Sequence, residues 1–342
     1  MKDKILIISD NQFEQETSAN DISKKIQEMG GKCAHLKISE LARKKSSLSV
    51  SYDNGHQTIF YKKDDKTLNL NKEIKSVLYW RPALPDEIKE DMDGSTLEFY
   101  KGEWTTFMKG IYLCLKDCFW MNPYPQNSIY EEKIFQLKTA QDIGFRVPKS
   151  FITTSLEEAY NYFELIEDQI VYKPFSQISW TEKNEKNEDE ILLLYSNIIN
   201  KNDLINSKDV YATPNIFQTY IDKKYELRIT CVGKCVMACE IHSQNSEISK
   251  HDWRKYDFDS TPYIQHDLPK DIEKLCLKLF ENLGLTYGCI DMIITPDDEY
   301  IFLELNPTGQ YGWIEDLAKF PITENIARML ITGSIDYDFK SW

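Results

Sequence analysis

No glycine-rich phosphate loop of the GxGxxG or Walker type occurs anywhere in these 342 residues, so the commonest sequence routes to a nucleotide site are missing. Long apolar runs are missing too. No stretch approaches the roughly 18–20 apolar residues that a membrane span needs. The opening MKDKILIISDN meets acids after about five apolar residues, which is too short for a signal peptide and reads as a first β-strand. The expectation is a cytoplasmic protein without membrane contact. Positive charge is scarce: 41 Lys and Arg stand against 55 Asp and Glu, a net charge of −14. A general nucleic-acid binder is excluded on that ground, because counterion release needs a basic surface. Any site for an acidic ligand must therefore be made positive locally. The eight cysteines lack a disulfide-framework spacing and sit mostly in apolar runs. Cys231, Cys235 and Cys239 depart from common metal-cluster spacings, and Gly233-Lys234 between them reads as a hairpin turn, so core thiols are expected. There is no internal repeat and no low-complexity tail.

What is present is an ordinary balance, 42% hydrophobic and 28% charged, with room for two or three packed lobes. The first, residues 1–122, opens with a strand (Ile5–Ser9), a helix (Ala19–Met29) closed by Gly30-Gly31, and a second strand (Lys32–Leu36). A polar, hairpin-rich patch (46–72) leads to the apolar strand Ser76–Trp80, ending at Arg81-Pro82, and a helix fills Ser95–Leu115. Asn122–Gln126, with its two prolines, reads as a linker. A helix over Ser128–Ile143 stops at Gly144. A strand at 149–153, a helix at 155–166 and a strand Gln169–Lys173 follow. Glu182–Glu190 is a mixed-charge run of the kind that stays a solvated loop. A strand (Asn215–Ile221), a hairpin (Leu227–Ile241), a polar loop (243–262), a helix (269–283) and a last hairpin complete two further lobes, 123–213 and 214–342. The fold class is α+β, with helices and strands mixed.

The last hairpin carries the strongest chemical signal. Ile290–Thr295 and Tyr300–Leu305 flank the turn Pro296-Asp297-Asp298. Asp291 lies on one strand, and Glu304 and Asn306 lie two apart on the other, hence on one face. Three oxygen ligands without His or Cys suit a hard cation that keeps waters and takes phosphate oxygens, namely Mg²⁺ with a nucleotide. A lone E-x-N is more often a solvated hairpin face, but the apolar strands around these groups argue against solvation.

Other positions are ambiguous one by one. Lys173 ends an apolar strand, where it either reaches phosphate oxygens or marks a solvent edge; Lys133, at the start of a helix, is equally general. Phe217–Ile221 is either an edge strand or a segment that offers backbone groups to adenine. Glu226 and Arg228 share a strand face. They form either an ion pair worth little, or a divided pair in which Glu226 accepts ribose hydroxyls and Arg228 forks onto phosphate. In Asp252-Trp253-Arg254 the arginine is either stacked on a surface loop or a partner for a substrate carboxylate. No general base stands out; His242, at a strand end, fits a structural role better.

In order and spacing these positions resemble the ATP-grasp carboxylate–amine ligase superfamily over about residues 128–330: Lys133 with Pro148 fifteen residues on, Val171–Pro174, Phe217–Ile221, Glu226-Leu227-Arg228, Asp291, and Glu304-Leu305-Asn306-Pro307. Finer text is similar to the graspetide synthetases, the microviridin- and plesiocin-type peptide macrocyclases. It comprises the YKPF stretch, Lys224–Arg228, Asp252-Trp253-Arg254, Asp291-Met292-Ile293, Asn306-Pro307-x-Gly309-Gln310 and the strand end Trp80-Arg81. Two departures stand out: the 176–195 loop lacks the glycines usual in a phosphate-covering loop, and Pro82 stands where a second arginine is expected.

The resemblance implies an ATP-grasp fold in which an N-terminal α/β lobe, a central lobe and a C-terminal lobe hold the nucleotide between them. It implies Lys133 and Lys173 on phosphates or adenine, Gln218, Tyr220 and Ile221 as adenine hinge, and Glu226 on the ribose. Asp291, Glu304 and Asn306 would hold Mg²⁺, as two ions, with Arg228 and Arg254 as catalytic residues. The implied activity is ATP-dependent cyclisation of a precursor peptide with a leader segment, by a homodimer. The alternative is an ATP-grasp ligase that acts on a small acid or amino acid, or adds glutamates to a protein terminus. Both use one nucleotide site, so these residues do not separate them.

Overall fold

Strand β1 (Lys4–Ser9) is apolar from Ile5 to Ile8 because both of its faces are covered. Helix α1 (Ala19–Glu28), strand β2 (Lys32–Leu36) and helix α2 (Ile38–Ala42) follow. Asp10, just after β1, accepts the backbone N–H groups of Ile38 and Ser39 at 3.0 Å each and so satisfies the start of α2. The 46–72 patch forms three antiparallel strands, β3 (Ser46–Asp53), β4 (His56–Lys63) and β5 (Lys66–Asn69), then a short helix α3 (Leu70–Glu73). Strand β6 (Ile74–Trp80), helix α4 (Gly94–Cys114) and strand β7 (Phe119–Met121) complete a parallel sheet ordered β2-β1-β6-β7. The computed structural model describes residues 2–10, 19–82, 93–166, 169–175, 179–183, 189–193, 196–200, 203, 213–250, 253–255 and 257–342.

The single helix expected over Ser128–Ile143 is two, α5 (Gln126–Ile129) and α6 (Lys133–Ile143). Glu132 is extended (φ −72°, ψ 106°), and Gln136 Nε2 donates back to the Tyr130 carbonyl at 2.6 Å. The break makes Lys133 the first residue of α6. Gly144 closes α6 in the left-handed region (φ 112°), which favours glycine.

Strand β8 (Ser150–Thr153), helix α7 (Leu156–Leu165), and strands β9 (Ile170–Lys173), β10 (Ser179–Lys183), β11 (Asp189–Leu193), β12 (Asn197–Ile199) and β13 (Asn215–Thr219) come next. Four of these strands make an antiparallel sheet, β12-β9-β13-β8. The charged run read as a loop is instead part of a two-stranded hairpin, β10 with β11; residues 184–188 lie outside the described residues.

The remainder is β14 (Tyr225–Val232), β15 (Cys235–Ile241), β16 (Tyr263–His266), helix α8 (Lys270–Leu283), β17 (Tyr287–Ile294), β18 (Tyr300–Asn306), and helices α9 (Gly312–Ala318) and α10 (Ile322–Thr332). Its antiparallel sheet runs β16-β15-β14-β17-β18. Alternation along β14 separates two cores. Tyr225, Leu227, Ile229 and Cys231 pack with residues of α6 and α8. On the other face Val232, Cys235 and Met237 pack with Ile5, Ile7, Leu78 and Trp80 of the first sheet and with Ile326 and Leu330 of α10. The first and last sheets thus share a core, which holds β17 and β18 in a defined place relative to β6. Among the described residues no helix is long and apolar enough to cross a membrane.

Cys231 lies in one of these cores, and Cys235 and Cys239 lie in the other, so the three cannot share an ion. All three are free thiols, and burial pushes the last two up to about 12. Alkylation of the native protein with iodoacetamide should therefore spare Cys231, Cys235, Cys239, Cys276 and Cys289 until it is unfolded, as read by peptide mass mapping.

Candidate active site

A cleft opens between the four-stranded sheet that contains β9 and β13 and the five-stranded sheet that contains β14, β17 and β18. At its deep end Asp291 pairs directly with Glu304 across the β17–β18 ladder. The next pair is Met292 with Phe302, so Leu303 is an extra, bulged residue. The bulge turns consecutive residues, Leu303 and Glu304, onto the cleft. Asn306 Nδ2 donates to Asp291 Oδ2 at 3.0 Å and lies 3.5 Å from Glu304 Oε1. All three side chains predicted from the hairpin therefore converge.

The donor set fits a hard cation: two carboxylates and an amide that would present Oδ1 after a half-turn. Among the described residues no group of three or more His, Cys, Asp or Glu side chains is arranged to hold a metal ion. An ion at this trio would take its remaining ligands from water and phosphate oxygens, the habit of Mg²⁺.

The surroundings push the two carboxylates in opposite directions. Burial, helped by the neighbouring Glu304 charge, raises Asp291 to about 6 even though Arg228 opposes it. Burial pushes Glu304 the same way, but the cations Arg254, Lys173 and Lys133 outweigh it and hold Glu304 below the usual range. Arg254 Nη1 lies 4.0 Å from Glu304 Oε1, and Arg254 Nη2 donates to Ser196 Oγ at 3.3 Å. Lys133 donates to the Pro174 carbonyl, and burial lowers its pKa while Glu304 pulls it back up. Lys173 lines the same cleft from the end of β9.

Glu226 and Arg228 do not pair with each other. Arg228 Nη1 donates to both oxygens of Asp291 at 2.9 Å, and Nη2 donates to the Gln310 carbonyl at 3.0 Å. Its Nε has no hydrogen-bond partner among the described residues, and the Trp253 ring lies 5.8 Å away. Arg228 is buried behind Asp291, whereas Arg254 opens on the cleft. Gly309 leaves room for it: a Cβ there would come within 2.8 Å of Arg228 Nη2. Glu226 is bound by Lys223 and by the Ser243 hydroxyl, and burial raises its pKa.

Gln218, Tyr220 and Ile221 line the cleft with Pro148 and Val171 on the side of the four-stranded sheet, and Ile293 faces them from β17. Gln218 Nε2 donates to Ser150 Oγ at 2.9 Å, and Tyr220 N–H donates to the Gln169 carbonyl at 2.7 Å. His242 Nε2 meets Glu240 Oε2 at 2.7 Å, consistent with a structural role. Asp252 and, within the 176–195 loop, residues 176–178, 184–188 and 194–195 lie outside the described residues. Trp80 is buried, 5.9 Å from both Tyr287 and Tyr311, and Arg81 follows in the left-handed region (φ 45°).

Two buried amides are absent from the expectations. Gln136 Oε1 accepts the Leu305 N–H at 2.9 Å and its Nε2 donates to the Leu305 carbonyl at 2.6 Å, which satisfies the edge strand between Glu304 and Asn306. Asn122, assigned to a linker, donates to the Tyr287 and Pro307 carbonyls and accepts the Thr286 and Tyr287 N–H groups, all at 2.7–2.8 Å. No local pattern marks either one, because these strand partners lie 164–185 residues away. Lys223 was visible in the Asp222-Lys223-Lys224 run, but nothing there pointed to Glu226.

Residues 4–128 match the family described as the MvdD pre-ATP grasp domain. Comparison with curated proteins gave no match. Among solved structures, the RiPP-associated ATP-grasp ligase of Chryseobacterium gregarium, in complex with ADP and a leader and core peptide, is 29% identical, with a TM-score of 0.86 over 98% of each chain. The macrocyclase MdnC of Microcystis aeruginosa MRC, bound with precursor peptide MdnA, is 28% identical, with a TM-score of 0.81 over 96% of this chain and 99% of that one. PsnB, an ATP-grasp ligase complexed with minimal precursor, Mg and ADP, is 18% identical and shares the fold, with a TM-score of 0.75 over 96% of each chain. With the first two the likeness runs through both sequence and structure along nearly the whole length, and the chain is an ATP-grasp ligase that resembles the graspetide synthetases.

Proposed function

We propose that this ligase uses ATP and Mg²⁺ to phosphorylate Glu or Asp side-chain carboxylates of a ribosomally made precursor peptide. It then closes them onto Thr or Ser hydroxyls as ω-esters, or onto Lys amines as ω-amides. The observation that carries the reading is the surround of Glu304: a chain of net charge −14 gathers Arg254, Lys173 and Lys133 around one carboxylate, beside Asp291 and Asn306. The structures of the Chryseobacterium ligase with leader and core peptide, and of MdnC with its precursor, favour a peptide over a small acid.

A carboxylate is a poor electrophile because attack adds charge to an anion. Its oxygen therefore first bonds to the γ-phosphorus of ATP, the bond to ADP breaks, and an acyl phosphate results. A hydroxyl or amine then attacks the acyl carbon, phosphate leaves and the nucleophile loses its proton, so each link removes one water overall. Lys133 and Lys173 serve the phosphate oxygens, and Gln218, Tyr220 and Ile221 the adenine. Glu226 takes the ribose hydroxyls once Lys223 and Ser243 share it. Asp291, Glu304 and Asn306 would hold two Mg²⁺ ions, whose charge would offset that of the transferring phosphoryl group. Arg254, open to the cleft, meets the substrate carboxylate and its acyl phosphate, while Arg228 adds positive charge from behind Asp291. By the same resemblance the protein is a homodimer.

Incubating the protein with ATP, Mg²⁺ and a peptide of Thr/Glu-rich segments should give a mass loss of one water for each link. Release of ADP with free amino acids, together with unchanged mass for every such peptide, would transfer the site to the small-acid alternative.

A further inference from the structure

A second cavity, of about 390 Å³, shares no lining residue with the cleft. It lies where α4 passes the carboxyl ends of β2, β6 and β7, in a sheet whose order reverses at β1. Ligands of parallel sheets settle at such reversal points. The α4 residues that line it, Lys101, Trp104, Thr105, Met108, Lys109 and Tyr112, recur every three or four positions and form one stripe.

Tyr79 and Tyr124 close the other side and meet Tyr112 of the stripe in mutual ring contact: Tyr79 to Tyr112 at 5.3 Å, Tyr112 to Tyr124 at 5.2 Å and Tyr79 to Tyr124 at 6.3 Å. Tyr112 is only 4% exposed, yet among the described residues neither its hydroxyl nor those of Tyr79 and Tyr124 have a hydrogen-bond partner. The hydroxyls are not sealed in the core but open on the cavity, each with an O–H left to donate, so a ligand that supplies acceptors is favoured here. Among the described residues the lining holds two lysines and no Asp or Glu, in a chain with fourteen more acids than bases. The nearby Asp10 is committed to the start of α2. Toward the metal end, Glu131 accepts from Thr308 at 3.3 Å, two residues past Asn306, and its charge also acts on Tyr79.

We infer that this cavity binds the carboxylate of a second acidic side chain of the substrate, through the hydroxyls of Tyr79, Tyr112 and Tyr124 and the ammonium groups of Lys101 and Lys109, while another acid reacts in the cleft. The anionic character follows from the lining alone; the peptide as its source rests on the proposed function.

Equilibrium binding measured by calorimetry without ATP tests it, using a Thr/Glu-rich peptide and its counterpart with Gln at every Glu. Tyr112→Phe keeps the ring packing and removes only the hydroxyl, and it should weaken the Glu peptide roughly three- to tenfold. Lys101→Ala with Lys109→Ala alters an exposed helix surface, so it remains informative if Tyr112→Phe does not fold. It should weaken binding roughly tenfold and flatten its salt dependence. Neither variant should change the Gln peptide. Unchanged affinity for the Glu peptide in a folded Tyr112→Phe and in the double lysine variant overturns the site. Free glutamate that binds as tightly as the peptide, and loses as much in these variants, overturns the assignment to a peptide side chain. Should the wild type bind the Glu peptide in this Tyr112-dependent way yet link no peptide, the ligation reading fails and the site stands.

Discussion

Glu304→Gln should lower ATP-dependent peptide linkage by roughly 10²–10³-fold, the scale of losing a principal electrostatic element of a transition state, with the fold intact. The amide is isosteric and keeps a contact to Asn306, 3.5 Å away, but it removes the negative charge that Arg254, Lys173 and Lys133 surround. Three cations would then face Asp291 alone, whose carboxylate is already committed to Arg228. The trio would lose the charge that an Mg²⁺ ion requires. Glu304 is partly open to the cleft, so its cost in stability stays within about 1 kcal/mol. Coupled ADP-release kinetics and a thermal melt measure the two effects separately. Asn306→Ala should behave likewise, and near-normal turnover in either variant would refute the metal assignment.

Asn122→Ala should produce the largest loss of stability, about 3–4 kcal/mol of the roughly 5–15 kcal/mol that a folded domain commands. The side chain is 2% exposed, and its removal leaves two N–H donors and two carbonyl acceptors inside the core between the first sheet and the final hairpin. Each buried group left without a partner costs about 1–3 kcal/mol, and local relaxation recovers part of the sum. Because Pro307 follows Asn306, the same change should also weaken binding of Mg²⁺ with ADP. Urea denaturation gives the first effect and calorimetry the second. A wild-type midpoint would show that the first and last sheets do not depend on this amide.

Much of the site could be read locally. Asp291, Glu304 and Asn306 lie on two adjacent strands joined by a short turn, so strand periodicity alone puts them on one face. Lys173 and the 217–221 segment were legible because each ends an apolar strand. Arg228 was legible only as a residue on a face. Whether it meets Glu226 or Asp291 depends on which strand lies beside β14, and pairing with β17 sets Arg228 directly opposite Asp291. The helix break before Lys133 was missed because it arises from the reach of Gln136 to Tyr130 and to Leu305, the latter 169 residues away. The hairpin inside the charged 182–190 run was missed because solvated charge says nothing about backbone pairing.

By itself, then, the sequence determined the mixed α/β class, the alternation of β14 and β17, the hairpin that brings Asp291, Glu304 and Asn306 together and the order of residues along the cleft. These properties rest on local periodicity and on spacing within single elements. Tertiary structure alone decided which cations surround Glu304, that Lys223 and Ser243 hold Glu226, and that Asn122 and Gln136 brace the hairpin from two sides. It also decided that three tyrosines from different elements share one cavity. These are contacts between segments tens to hundreds of residues apart, and they exist only once the sheets have packed and water has left the space between them.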